Sequence, residues 1–160
     1  MNVKNKHYLT VCFENGVVKM INQDLLPFRF EIFESKSYTD TCLAIRNMIV
    51  RGAGAIGATA GFGMAQAFMQ SNGNLIFVKK AKSEIEATRP TARNLFFATE
   101  RVYKAGLISV ENAVKEAQQI ALEDIEAGKQ IGYYGNQLIT EGMQIMTHCN
   151  AGWLGFVDYG

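Results

Sequence analysis

Disulfides, membrane spans and a dominant charge are all missing from this chain, and each absence removes a class of answers. Its three cysteines, Cys12, Cys42 and Cys149, are odd in number, widely separated and form no C-x-x-C pair. That leaves no basis for a disulfide framework or a zinc site, and the expected setting is a reducing cytoplasm. No apolar run approaches the ~20 residues of a membrane span. The first residues carry Lys4 and Lys6 but no apolar stretch of the signal-peptide kind. Basic and acidic residues number 16 and 15, for a net charge of +1. Neither nucleic acid nor a membrane surface is therefore expected as a partner. Proline is scarce as well, with only Pro27 and Pro90 to interrupt regular structure.

What is present reads as globular. Hydrophobic residues make up 48% and charged residues 19% of 160 positions, enough for a real core. Alternation over Tyr8–Phe13, the pair Asn15-Gly16 and an extended run over Val17–Ile21 predict a hairpin, since Asn-Gly accepts positive φ. Period-2 alternation over Phe28–Phe33 predicts a third strand. Helical patterns follow. Thr39 is the expected cap of a first helix, and Gly54–Met69 is a second whose small side chains suit close packing. Leu75–Glu86 reads as helix or short strand. Thr91 is the expected cap of a helix through Leu95 and Val102, and Ser109 caps a long one towards Ile125 or beyond. A further helical stretch marked by Gly132 and Gly135 ends near Glu141. The apolar run Met143–Met146 then reads as a strand leading into the loop His148–Gly152. The expected fold is α+β: a small N-terminal antiparallel sheet, then a helical domain over 1–140. Residues 141–160 are expected to begin a truncated Rossmann-like α/β domain.

Gly52-Ala53-Gly54-Ala55-Ile56-Gly57 is a literal G-x-G-x-x-G. A dinucleotide site needs a strand before it and an acidic residue ~20 positions later. Leu43–Val50 reads as helix instead, and Lys79 and Lys80 stand where the acid is wanted. Phosphate binding without a nucleotide fits better, because Arg51 precedes the glycines and a helix start offers free N–H groups. Arg89 stands just outside another helix start, on a Pro90 turn. Cys149 follows the apolar run, at the kind of strand end where ligands gather in α/β sheets.

In order along the chain, Ala44–Ala53, Ala55-Ile56-Gly57, Arg89-Pro90-Thr91-Ala92, Asn94-Leu95-Phe96 and Thr147–Gly152 resemble the methylthioribose-1-phosphate isomerase family, and Gln23–Pro27 is also similar to it. That family is related to the regulatory subunits of translation initiation factor 2B. The resemblance implies conversion of a ring-closed aldose 1-phosphate to an open ketose 1-phosphate in methionine salvage, with no cofactor or metal and with a homodimer at full length. It implies that Arg51, Gly52, Ala53 and Arg89 bind substrate and that Cys149 assists the transition state. The family's catalytic aspartate lies in a later Val-Gly-Ala-Asp-Arg motif absent from these residues, so they are expected to be inactive alone. Gly54 replaces the family's usual proline. The Trp153 and Phe156–Tyr159 stretch also departs from it, which leaves another pentose 1-phosphate open as substrate.

Overall fold

The computed structural model describes residues 2–160. A two-stranded ribbon, β1 (Asn2–Val3) with β2 (Lys6–His7), precedes an antiparallel sheet of β3 (Val11–Glu14), β4 (Val17–Ile21) and β5 (Ile32–Ser35) in that spatial order. The helices are α1 (Tyr38–Arg46), α2 (Ala53–Gln70), α3 (Leu75–Glu86), α4 (Arg93–Gly106) and α5 (Val110–Asn136). The fold is α+β, as the patterning predicts.

The Asn15-Gly16 hairpin forms between β3 and β4, with φ of 51° and 82° at the two turn residues and Glu14 opposite Val17. The third strand lies later than its alternation suggests. Amides of Phe28 and Arg29 both donate to the Leu25 carbonyl, so the chain is still turning there, and pairing with β4 begins at Ile32. Thr39 is not the cap of α1. Ser37 is, because Asp40 three residues on completes a reciprocal capping box with it. Nor does Thr91 cap α4: a turn closed by the Ala92 amide on the Arg89 carbonyl delays the helix, and Ala92 takes the cap position. Ser109 caps α5 as expected, but the two helical stretches beyond it are one continuous helix. Its interior Gly132 costs only about 1 kcal/mol relative to alanine. Leu75–Glu86 resolves as helix, capped by Asn74. The expected strand at Met143–Met146 is not formed: no described strand lies beside it to supply ladder hydrogen bonds, and its side chains are exposed.

Helix α2 is the centre. Every residue from Gly54 to Phe68 is buried, so it is apolar all round rather than amphipathic. It packs against α1, α3, α4, α5 and the sheet. Its glycines set the approach of two neighbours. Gly57 faces Asn94, Gly61 faces Ala98 and Val102, and Phe68 faces Gly106, so α2 and α4 run parallel. Gly54 faces Asp124 while Gly61 faces Ile120, so α5 runs antiparallel to α2. The Phe13 ring stacks on Phe62 at 5.3 Å, joining the sheet to α2.

Two polar devices lock these layers. Buried Gln66 donates to the carbonyls of Gly16 (3.0 Å) and Ser35 (2.9 Å) and accepts from the Thr41 hydroxyl (2.7 Å). Arg101 of α4 donates to Glu116 (2.6 Å) and, through both terminal nitrogens, to Glu123 of α5 (2.6 and 3.1 Å). Hydrogen bonding from Arg101 is the main cause that holds the Glu123 carboxyl below its ordinary value, against a smaller opposing effect of burial.

Replacing Gln66 with leucine removes the donor to the buried Ser35 carbonyl and the half-buried Gly16 carbonyl, and the acceptor of the buried Thr41 hydroxyl. It is expected to cost about 2–4 kcal/mol in urea unfolding, at roughly 1–3 kcal/mol per orphaned group. Because the folded Glu123 carboxyl is depressed, its contribution is present above the unfolded value and is lost as pH falls through the folded one. Arg101→Met should therefore cost about 1 kcal/mol at neutral pH, this pair being partly exposed, and should flatten the acid limb of a stability–pH curve.

Candidate functional site

Helices α1, α3 and α5 each begin with a side chain on their free amides: Ser37, Asn74 and Ser109. Helices α2 and α4 have none, their cap positions being Gly52 and Ala92. These two uncapped helices are the pair that lie parallel, with Asn94 against Gly57, so their positive ends open at the same end of the bundle. A helix start favours an anion by about 0.3–1 kcal/mol when exposed, and up to about 2 kcal/mol when partly buried.

Each of these ends carries an arginine. Arg51 lies just ahead of α2; its Nε donates to the Met48 carbonyl (3.1 Å) and Nη2 to Asp24 Oδ1 (3.2 Å). Asp24 is mostly exposed, so that pair is a loose one that an incoming dianion can displace. Arg89 lies ahead of α4 and is half-buried, and its Nη1 is buried with no hydrogen-bond partner among the described residues. A buried, unpaired guanidinium nitrogen is costly and calls for an acceptor. Arg93, within the first turn of α4, is exposed.

Gly52 has φ of 87°, which only glycine adopts freely, and a Cβ on it would fall on the backbone of Gly155. Gly155 in turn lies so close to the Asn150 carbonyl that it too admits no side chain. The Arg51-Gly52-Ala53 turn and the loop containing Cys149 are thus brought together through one glycine–glycine contact. Cys149 is exposed and has φ of 66°, a conformation uncommon outside glycine and asparagine. The segment after it is anchored rather than loose. Thr10 N donates to the Val157 carbonyl (2.8 Å), Gln23 Nε2 to the Leu154 carbonyl (2.9 Å), and Val157 N to Asp124 Oδ2 (2.7 Å).

Gln23, Asp24 and Asp124 belong to this region and were not singled out from the sequence. A similarity to the isomerase family over Gln23–Pro27 was the one available signal for the first two. Nothing local marks Asp124. The dinucleotide reading of the glycines loses its strand, since α1 and a short turn precede them. Among the described residues no group of three or more His, Cys, Asp and Glu side chains is arranged to hold a metal ion. No helix among them is long and apolar enough to cross a membrane.

A family model described as the initiation factor 2 subunit family matches residues 49–157, which contain Arg51, Arg89 and Cys149. The chain belongs to that family. Within it, the chain is similar to a methylthioribose-1-phosphate isomerase of Acetivibrio thermocellus, 43% identical over 91% of this chain and 46% of that protein. It is likewise 43% identical to the enzyme of that name from Thermotoga petrophila, over 100% of this chain and 48% of the relative. The crystal structure of 5-methylthioribose 1-phosphate isomerase from Pyrococcus horikoshii OT3 superposes with a TM-score of 0.86 at 42% identity, covering 97% of this chain and 47% of that one. Subunit delta of the translation initiation factor eIF-2B from A. fulgidus gives 0.79 at 34% identity, covering 95% and 48%. The chain spans about half the length of the curated relatives it matches.

The orphaned Arg89 nitrogen yields a paired expectation. Arg89→Met should leave the free protein as stable or about 1 kcal/mol more stable, since it removes an unsatisfied buried donor. The same variant should bind phosphate at least about tenfold more weakly, one charge-assisted contact being lost. Thermal unfolding with and without phosphate measures both, and an arginine that proves essential to the empty fold contradicts the assignment.

Proposed function

We propose that this chain supplies the phosphate-binding part of a sugar-phosphate aldose–ketose isomerase, which converts methylthioribose 1-phosphate to methylthioribulose 1-phosphate. The observation that carries this is the pair of uncapped, parallel helix starts, each headed by an arginine, with the Arg89 Nη1 buried and unsatisfied. The names of the relatives supply the sugar.

The reaction is an internal redistribution, so no oxidant or reductant is consumed. The bond from C1 to the ring oxygen breaks and that oxygen gains a proton. Hydrogen from C2 arrives at C1, as a hydride or by a proton relay, and the C2 hydroxyl loses its proton as it becomes a carbonyl. Throughout, the phosphate on C1 must be held and kept from leaving. Guanidinium groups and backbone donors fixed by folding suit that task, because they need no reorganisation as charge shifts. Arg51, Gly52, Ala53 and Arg89 are assigned to the phosphate and Cys149 to the reacting carbons, beside the Gly52 turn. The acid–base carboxylate at the ring oxygen belongs to a part of the isomerase fold outside these residues.

Met143, Ile145 and Met146 are 56%, 64% and 96% exposed. We assign residues 141–160 to the start of a second, Rossmann-like unit that follows the unit over 1–140. The complete enzyme is proposed to be a homodimer acting in the cytoplasm. A non-catalytic regulatory role of the initiation factor 2B type is the second reading, favoured by the 0.79 superposition. Joint retention of Arg51, Arg89 and Cys149 favours the enzyme, since a scaffold has no use for them.

Purified 1–160 protein should gain thermal stability from methylthioribose 1-phosphate but not from NADP, and Arg51→Ala should abolish that gain. Turnover of the sugar phosphate by these residues alone should be undetectable, and measurable turnover refutes the division of labour proposed here.

A further inference from the structure

Asp124 lies on α5, far from both arginines in sequence. The antiparallel run of α5 across α2 nevertheless carries its carboxylate to the first turn of α2, where a Cβ on Gly54 would collide with Oδ1. Its other oxygen, Oδ2, accepts the Val157 amide at 2.7 Å. We propose that Asp124 is a positioning residue: by tethering Val157 it holds the segment after Cys149 against the Arg51–Gly52 turn, and so sets the distance between the phosphate and the reacting carbons. This rests on the sugar-phosphate reading of the site.

The tether has an unbroken line of contacts. Val157 is fixed on both sides, its amide by Asp124 and its carbonyl by Thr10, and its side chain is buried. Two residues earlier, Gly155 meets Gly52 on one side and the Asn150 carbonyl on the other. Cys149 is the next residue. Inside the loop the backbone hydrogen bonds are short-range, Ala151 to Cys149 and Gly155 to Gly152, and do nothing to place it on the bundle. Placement comes from Asp124, Thr10 and Gln23, together with His7 on Asp158 (3.1 Å), and of these only Asp124 stands on a helix that packs on α2 itself.

A carboxylate here is not neutral for stability. Burial pushes the Asp124 carboxyl above its ordinary value, opposed by the hydrogen bond from Val157. The uncapped start of α2 beside it supplies a compensating positive potential. A surface helix has no need of a half-buried acid at this point, whereas a loop that must be registered to within a fraction of an ångström does.

The test uses the 1–160 chain with two probes, methylthioribose 1-phosphate and inorganic phosphate, and amide hydrogen exchange over 150–157. In Asp124→Ala the sugar phosphate should bind about tenfold more weakly while inorganic phosphate binds no more weakly. Exchange over 150–157 should accelerate without a matching change in α2, and Asp124→Asn, which keeps an acceptor, should restore wild-type behaviour. Should the alanine variant fail to fold, Asp124→Glu keeps the charge but moves the carboxylate by one methylene, and is expected to give the same split. Unchanged exchange over 150–157, or equal loss of both ligands, overturns the positioning role. Wild-type protein that binds neither probe sinks the sugar-phosphate reading and this role with it; wild-type binding of both, unaltered in Asp124→Ala, overturns this role alone.

Discussion

Close approach of other helices to α2 is the constraint on which the rest of this structure depends. A helix buried on every side cannot be chosen for intrinsic stability, and the glycines of α2 are poor helix formers. They repay that weakness through contact. With Gly57 and Gly61 facing α4, the two backbones come near enough for their first turns to lie side by side. Gly63 does the same for Thr41 of α1. Larger residues at these points would push the helices apart, and the common positive end would be lost along with the packing.

The candidate site follows from that geometry more than from any one side chain. Two parallel helices present two sets of unpaired amides in one direction, and neither set is consumed by a capping side chain. The two arginines then add mobile charge to fixed dipoles. They differ in how they wait. Arg51 rests on an exposed aspartate and a carbonyl, while Arg89 keeps a nitrogen buried without a partner. An anion that satisfied both would exchange a weak surface pair for charge-assisted hydrogen bonds and would remove a desolvation penalty.

The segment after Cys149 gives the site its second wall. It leaves α5 through an exposed stretch and returns to the bundle, where Thr10, just ahead of β3, Gln23 and Asp124 each hold part of it. The glycine contact between Gly52 and Gly155 works because both residues lack a Cβ; a side chain on either would separate the two walls. Membership of the initiation factor 2 subunit family, with an isomerase and a factor 2B subunit both superposing on the chain, means that one scaffold carries different roles. What distinguishes them must lie in such side chains rather than in the fold.

Much was legible before folding is considered. Asn15-Gly16 encoded its hairpin because only residues tolerant of positive φ fit that turn, and Ser109 announced the start of α5. The run from Gly54 onward marked a helix whose small side chains suit close packing. The ordered segments around Arg51, Arg89 and Cys149 pointed to the family. Where the local pattern misleads, a neighbour outside it decides: the Leu25 carbonyl holds Phe28 and Arg29 in a turn, Asp40 selects Ser37 over Thr39, and the Arg89–Ala92 turn displaces Thr91. Only the tertiary structure decided that α2 and α4 run parallel, that Arg89 keeps a nitrogen unpaired, and that Asp124 reaches Val157. The reason is physical. Turn and cap preferences depend on residues within a few positions, whereas helix direction, burial and the partner of a carboxylate depend on groups that meet only when distant stretches pack.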